Sequence, residues 1–208
     1  YLYYKKTVAL SVQLEQKYPF VRATSAPGYL ESFLNDGKLD AYDAVVLATG
    51  DVTLERYANE ILHAKSNAPI LISAWVDAYG VGGHAIASMP GMPGCLSCIY
   101  HSSKTGELAL YPDLSFIASG QNVLTSHAGC GSEYIAYSSL DARQTATIAA
   151  RLTLKALSGG LSEGVSMSWK GADRLAREHG IRVSERFHEE ERIIQEIPLA
   201  KAGCHVCS

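Results

Sequence analysis

The sequence lacks an apolar run long enough to cross a membrane. Its longest runs, such as those at residues 44–48 and 70–72, are far shorter than the roughly 20 residues that a transmembrane helix needs. It also lacks a signal peptide, because the aromatic residues at its start are not followed by a long apolar segment. The five cysteines without an export signal predict a reducing, cytoplasmic location, where thiols bind metals or do chemistry.

An excess of charge of one sign is also missing. The chain has 208 residues with 18 basic and 21 acidic side chains, a net charge of −3, and the two signs are mixed along the sequence. A nucleic-acid-binding stripe or a basic membrane-binding face would need a local excess of Lys and Arg. We therefore expect neither nucleic acid nor a membrane as a partner. The length allows one domain or part of a larger one, and the absence of an initiator Met suggests a fragment.

Four of the five cysteines form two short pairs. Two residues separate Cys95 from Cys98, and two separate Cys204 from Cys207. This spacing lets one tight turn direct two sulfurs at a single ion, and four thiolates complete a closed, tetrahedral zinc site that is structural rather than catalytic. The alternatives are a redox pair, a disulfide in an exported protein, or a ligand role for the histidine inside the second pair.

The order of apolar segments predicts an α/β fold. The apolar run at residues 41–49 predicts a buried parallel strand, a helix begins directly after Asp51, and residues 69–76 predict a second strand. Strand, helix and strand in this order form a βαβ unit. The clearest helix spans residues 141–157 and carries an alanine-rich face. Further elements are predicted as helices at residues 6–17, 28–35 and 172–178, strands at 20–24, 166–169 and near Ile181 and Ile193, and irregular structure at 99–121.

A glycine-rich segment at residues 80–85 fits the dinucleotide-binding fingerprint in its Gly/Ala variant. That fingerprint binds phosphate because a helix follows and offers its N-terminal amides. Here Pro90 and Pro93 come too soon for such a helix. We therefore expect a bend between strands rather than a phosphate loop.

Several motifs occur here in the order found in one known family. Lys6 begins a helix that Tyr18-Pro19 follows, in place of an Asn-Pro pair; residues 43–51 form a strand that ends in Thr-Gly-Asp; Arg56 and Asn59 lie on the next helix. With the two cysteine pairs, this combination resembles the ThiF/MoeB adenylyltransferases, the family that includes the ubiquitin-activating enzymes.

The resemblance implies a fold and a domain organisation. The fold is a Rossmann-like, mostly parallel sheet with a zinc-stapled antiparallel extension at its C-terminal end. Residues 1–208 would be the C-terminal part of a single adenylation domain, with a crossover loop at about 118–138. The glycine-rich nucleotide loop of the family precedes the position of Lys6 and is absent from this sequence.

The resemblance also implies ATP-dependent adenylation of the C-terminal glycine of a ubiquitin-like protein, with ATP, Mg²⁺ and structural zinc as cofactors. Asp51 would hold Mg²⁺ at the end of a strand, and Lys6 would contact phosphate. Arg56 and Asn59 would bind the nucleotide. The alternative for Asp51 is a helix N-cap, and the three others are alternatively exposed helix residues.

The fifth cysteine, Cys130, lies between two glycines just before the long helix. In many family members a cysteine of the crossover loop accepts the acyl group as a thioester, and a thiolate is a suitable nucleophile. The alternative is a small buried residue. A thioester would be passed to a conjugating enzyme. Family members are typically homodimers, and divergent bacterial members of similar sequence include proteins of antiphage defence operons.

Two other functions stay open at this point. The first is a sulfur-carrier adenylyltransferase for thiamin or molybdopterin synthesis, in which Cys130 handles sulfur or is idle. The second is a zinc-stapled dimerisation module without catalytic activity.

Overall fold

A computed structural model describes residues 4–102, 107–126, 133–190 and 195–207. The chain divides into two compact units, Tyr1–Lys38 and Leu39–Ser208.

Two helices make up the regular structure described in the first unit, α1 (Lys6–Lys17) and α2 (Leu30–Asn35). Helix α1 has the predicted bounds, since Pro19 cannot continue it. The strand predicted at residues 20–24 is wrong, because the segment is irregular. The Ala23 N–H in this segment donates to Oε1 of Glu15 at 3.0 Å, and not to the backbone of a neighbouring strand.

A mixed sheet runs through the second unit. Its described strands lie in the order β1-β2-β3-β6-β7, where β1 pairs in parallel with β2 and the other three pairings are antiparallel. Helix α3 connects β1 to β2, which confirms the predicted βαβ unit. A separate hairpin is formed by β4 and β5. The bounds are β1 Ala44–Leu47, α3 Val52–His63, β2 Ile70–Val76, β3 Gly82–Ser88, β4 Leu124–Ser126, β5 Glu133–Ile135, β6 Val165–Lys170 and β7 Gln195–Pro198.

The long helix α4 (Ser139–Leu157) covers one face of this sheet. Ser138 and Asp141 form a capping box, in which the Asp141 N–H donates to Oγ of Ser138 and the Ser138 N–H donates to Asp141. The buried stripe differs in part from the predicted alanine face. It consists of Thr145, Ile148, Ala149, Leu152 and Ala156.

The two faces of β3 separate the two cores of the second unit. Ala85 and Ala87 pack with the core beneath α4, whereas Ile86 packs with the cysteine pairs and their neighbours. This alternation follows from the period of two along a strand. The element order and the cysteine cluster confirm the predicted α/β class with an antiparallel C-terminal part. Parallel pairing is confined, among the described strands, to β1 and β2, so antiparallel pairings outnumber the parallel one.

The glycine-rich segment is a bend and the start of β3, as predicted. A Cβ at Gly83 would lie 2.1 Å from Oγ1 of Thr145 and 2.4 Å from Nε1 of Trp169. Glycine is required there because α4 and β6 approach the strand closely.

The tail holds two short helices, α5 (Arg174–Glu178) and α6 (Glu185–Glu189), the second of which the sequence did not predict. The strand predicted near Ile181 is wrong: the segment forms only an isolated bridge between Val183 and Ile117. Ile193 lies outside the described residues. In the described part of the chain, no helix combines the length and apolar character needed to span a membrane.

Candidate active site and metal centre

The two cysteine pairs meet in the second unit. The Sγ atoms of Cys95, Cys98, Cys204 and Cys207 all lie within 4.8 Å of one another, with 3.8 Å between Cys95 and Cys204 and 3.4 Å between Cys98 and Cys207. Zn–S bonds of about 2.3 Å in a regular tetrahedron place the sulfurs about 3.8 Å apart. None of these four cysteines forms a disulfide, and their arrangement is compatible with zinc, as predicted.

Local backbone geometry directs these sulfurs inward. A 3₁₀ turn, Leu96–Tyr100, follows Cys95, and the Cys95 N–H donates to Sγ of Cys98 at 3.4 Å. The Gly94 N–H donates to Sγ of Cys207 at 3.3 Å. Such N–H donors stabilise negative charge on sulfur. They therefore suit thiolate ligands of a cation.

Proton sharing within the cluster separates the thiol pKa values. A hydrogen bond from Cys95 lowers the pKa of Cys98 to about 4, and the same bond raises the pKa of Cys95. Burial raises the pKa of Cys207 to about 12. The lowered pKa of Cys98 favours a thiolate there, and bound zinc would keep all four sulfurs deprotonated. The histidine inside the second pair, His205, is not part of this group: its Nε2 lies 3.8 Å from Oε1 of Glu60.

A second site forms where β1 ends. Gly50 adopts φ +74°, a conformation that favours glycine, and the turn leads into α3. Asp51 is exposed and caps α3, because its Oδ1 accepts from the Leu54 N–H at 3.0 Å. Oε1 of the buried Glu55 accepts from both the N–H and the hydroxyl of Thr49. The N-cap interpretation of Asp51 is therefore confirmed, and its Mg²⁺ role stays a prediction.

A cavity of about 550 Å³ lies at the carboxyl ends of β1 and β2. Its wall includes Gly50 and Glu55 after β1, Trp75 and Asp77 at the end of β2, and residues 109–113, 115, 117 and 118 of an irregular segment. This is the edge at which α/β sheets bind ligands. The lining is mainly apolar and includes three carboxylates, those of Glu55, Asp77 and Asp113. Cavities of this kind suit ligands that combine apolar surface with a few hydrogen-bond donors.

The other predicted nucleotide ligands lie in different surroundings. The Arg56 guanidinium lies 4.7 Å from the centroid of the Tyr100 ring, which borders the cavity. Burial raises the pKa of Tyr100, and Arg56 offsets part of this effect. Asn59 is fully buried, and its amide binds the first cysteine turn, so a nucleotide contact would require it to leave these partners. Lys6 is an exposed residue of α1 in the first unit.

Cys130 lies outside the described residues. The hairpin strands β4 and β5 flank that segment, with Ser126 paired to Glu133. Val123 and Ile135, at the opposite end of the hairpin, border the cavity. The predicted crossover region, 118–138, therefore contains a hairpin that the sequence did not predict.

Two polar residues of this region were not predicted as site residues. Asp77 follows β2 directly and is buried, and His84 of β3 is fully buried with Nε2 3.0 Å from Oδ2 of Asp77. The position of Asp77 could have marked it as a site residue, because it directly follows the second parallel strand, as Asp51 follows the first. His84 carried no comparable signal, because a histidine in a strand is ordinarily a packed side chain.

Comparison with solved structures identifies the fold. The chain matches a crystal structure of Escherichia coli MccB with AMPCPP and selenomethionine-labelled MccA, at a TM-score of 0.58 and 12% sequence identity. The match covers 98% of this chain and 51% of the MccB chain, so the chain spans about half the length of that neighbour. No protein-family model matches the sequence, and no curated protein matches it. The likeness shows a ThiF/MoeB-like fold.

Proposed function

We propose that this chain is the C-terminal part of an adenylating enzyme that activates the C-terminal glycine of a ubiquitin-like protein. The main support is the cavity at the carboxyl ends of β1 and β2, which lies beside Asp51 in a fold that MccB uses with AMPCPP and MccA. A nucleotide and a polypeptide partner are therefore the ligands that this fold has been crystallised with. Here the cavity would take the partner's C-terminal segment.

In the first step, a carboxylate oxygen of the C-terminal glycine attacks the α-phosphorus of ATP. The bond to the β-phosphate oxygen breaks, and pyrophosphate leaves with the electron pair. The exposed Asp51 would hold Mg²⁺, which offsets phosphate charge in such transfers. Lys6 and Arg56 would contact the nucleotide as cations, whereas the amide of Asn59 is bound to the first cysteine turn.

In the second step, the Cys130 thiolate attacks the carbonyl carbon of the acyl-adenylate. A C–S bond forms, the C–O bond to phosphate breaks, and AMP leaves. A thiol of a conjugating enzyme then exchanges with this thioester. This transfer is an exchange between a thiol and a thioester, so it needs no oxidant.

Zinc at the four cysteines would supply structure and no chemistry, because four protein ligands leave no open position. We further propose that the protein works as a homodimer in the cytoplasm and that bacterial antiphage defence is its setting.

The test uses the full-length protein with ATP, Mg²⁺ and a panel of ubiquitin-like proteins that end in Gly-Gly. We expect pyrophosphate exchange with at least one of them, and an adduct that a reducing agent removes and that Cys130→Ala lacks. Exchange without such an adduct, unchanged in Cys130→Ala, would indicate a sulfur-carrier adenylyltransferase. No exchange with any partner would favour a zinc-stapled dimerisation module and overturn the proposal.

A further inference from the structure

The carboxylate of Asp77 lies at the centre of a buried hydrogen-bond network. Its side chain is 6% exposed. Oδ2 accepts from the Phe116 N–H at 2.7 Å and lies 3.0 Å from Nε2 of His84, while Oδ1 accepts from the Ser115 hydroxyl at 3.1 Å. Burying a carboxylate is costly without such donors. Three donors from two different segments therefore fix this side chain in one orientation.

The hydrogen bonds of His84 extend this network to a neighbouring strand and to Arg186. Because a carboxylate only accepts, Nε2 of His84 donates to Asp77. Nδ1 lies 2.8 Å from Oγ of Ser168, and that oxygen accepts from the Arg186 guanidinium at 3.2 Å. Each of these side chains therefore has a hydrogen-bond partner within the network.

Aromatic packing holds the same imidazole from two sides. The ring centroids of Trp75 and Phe116 lie 5.1 Å and 5.0 Å from that of His84. His84 is fully buried. Trp75, which packs against this ring, also borders the cavity.

Asp77 connects the sheet to the part of the cavity wall formed by the irregular segment 109–118. Ser115 and Phe116 belong to this segment, which contributes no strand to the sheet. The Ser115 hydroxyl also accepts from the Ile117 N–H at 3.1 Å, so the hydrogen bond between Ser115 and Asp77 also helps to fix Ile117. Ile117 itself borders the cavity.

We propose that Asp77 is a positioning residue that sets the shape of the cavity for the acyl substrate, with His84 holding its carboxylate in place. The inference rests on the proposed function, in which this cavity binds the partner's C-terminal segment. Asp77 acts on the wall and has no part in the chemical step.

Asp77→Asn tests this with little change in side-chain shape. An amide cannot accept at both of its positions, so at least one of Ser115, Phe116 and His84 loses its partner. In the full-length protein, we expect the KM for the ubiquitin-like partner in pyrophosphate exchange to rise about tenfold. The kcat and the KM for ATP should change by less than about twofold.

A second pair of variants separates positioning from general loss of structure. His84→Gln keeps a donor that can reach Asp77, whereas His84→Ala removes it. The partner KM should therefore rise in the order wild type, His84→Gln, His84→Ala. Asp173→Asn is the matched control, because Asp173 pairs with Arg177 outside the cavity lining. It should leave the partner KM unchanged.

The possible failures are distinguishable. Wild-type exchange combined with an unchanged partner KM in Asp77→Asn would overturn this inference and leave the proposed function in place. Equal loss of kcat in Asp77→Asn and both His84 variants, at constant KM, would also overturn it, since that pattern marks a smaller folded fraction. No exchange by the wild type with any partner would overturn the proposed function, and this inference with it.

Discussion

The side-chain nitrogen of Asn59 lies 3.6 Å from Sγ of Cys95. The same amide group donates to Oγ of Ser97 and accepts from the Leu96 N–H, each at 3.2 Å. Asn59 is fully buried and belongs to α3, the helix that Asp51 caps. The cysteine cluster and the turn at the end of β1 are therefore fixed by one helix.

Replacing Asn59 with Ala should weaken both stability and zinc binding. The change leaves the buried Leu96 N–H without its acceptor, which costs about 1–3 kcal/mol. Loss of a side chain that hydrogen-bonds to a metal ligand lowers metal affinity about 10–100-fold. Denaturant unfolding and competition with a chromogenic chelator measure the two effects. Thr53→Ser, at an exposed position of the same helix, is the control and should change the free energy of unfolding by less than about 0.5 kcal/mol.

Replacing Gly83 with Ala tests the interpretation of the glycine-rich segment. The new methyl group would overlap Thr145 and Trp169, and overpacking of this kind costs about 1–3 kcal/mol. The KM for ATP should stay unchanged in the folded protein, because the glycines serve packing. A stable variant with weakened ATP binding would instead indicate a phosphate loop. Thermal unfolding and ATP titration of pyrophosphate exchange distinguish the two results.

The sequence predicted elements whose determinants are local. Helix α1 ends before Pro19, α3 begins after Asp51, and the cysteine spacing predicted a cluster that the structure assembles. Two continuous apolar runs on either side of a helix also indicated the parallel pair β1 and β2. These features depend on neighbouring residues or on a pattern repeated within one element.

Features set by distant contacts were not predictable in the same way. The hairpin of β4 and β5 depends on pairing between two three-residue strands, too short for a periodic pattern. Asn59 looked like a surface residue because its partners lie 36 to 38 positions further along the chain. Likewise, the contact between His84 and Ser168 spans 84 positions.

His63 should make stability sensitive to acid. Burial lowers its pKa below 6.5, and its ring hydrogen-bonds with Ser88 at 3.2 Å. Below about pH 6.5 the unfolded chain binds a proton at His63 that the folded chain does not, so stability falls as pH decreases. His63→Gln keeps a group that can bond Ser88 and does not titrate.

The free energy of unfolding, measured from about pH 7.5 to 5.5, checks this expectation. The wild type should lose stability across this range more steeply than His63→Gln. Parallel curves for the two proteins would show that His63 titrates alike in the folded and unfolded states. His179→Gln is a control for histidine loss, since His179 stacks on Tyr79 away from Ser88.

Two substitutions of Asp51 separate its role as a helix cap from its proposed role with Mg²⁺. Asn caps helices about as well as Asp, so Asp51→Asn should keep the hydrogen bond from the Leu54 N–H and change stability by less than about 0.5 kcal/mol. It removes the negative charge that would hold Mg²⁺, however. We expect kcat for pyrophosphate exchange to fall about a hundredfold or more.

Asp51→Ala removes both the cap and the charge. It should lose about 1 kcal/mol of stability and show the same loss of kcat as Asp51→Asn. If Asp51 serves only as a cap, Asp51→Asn will retain wild-type kcat and Asp51→Ala will lose activity only in proportion to its unfolded fraction. A Mg²⁺ titration of exchange adds a direct measure: the half-saturating concentration should rise in both variants, because the proposed ligand is an exposed carboxylate that neither Asn nor Ala replaces.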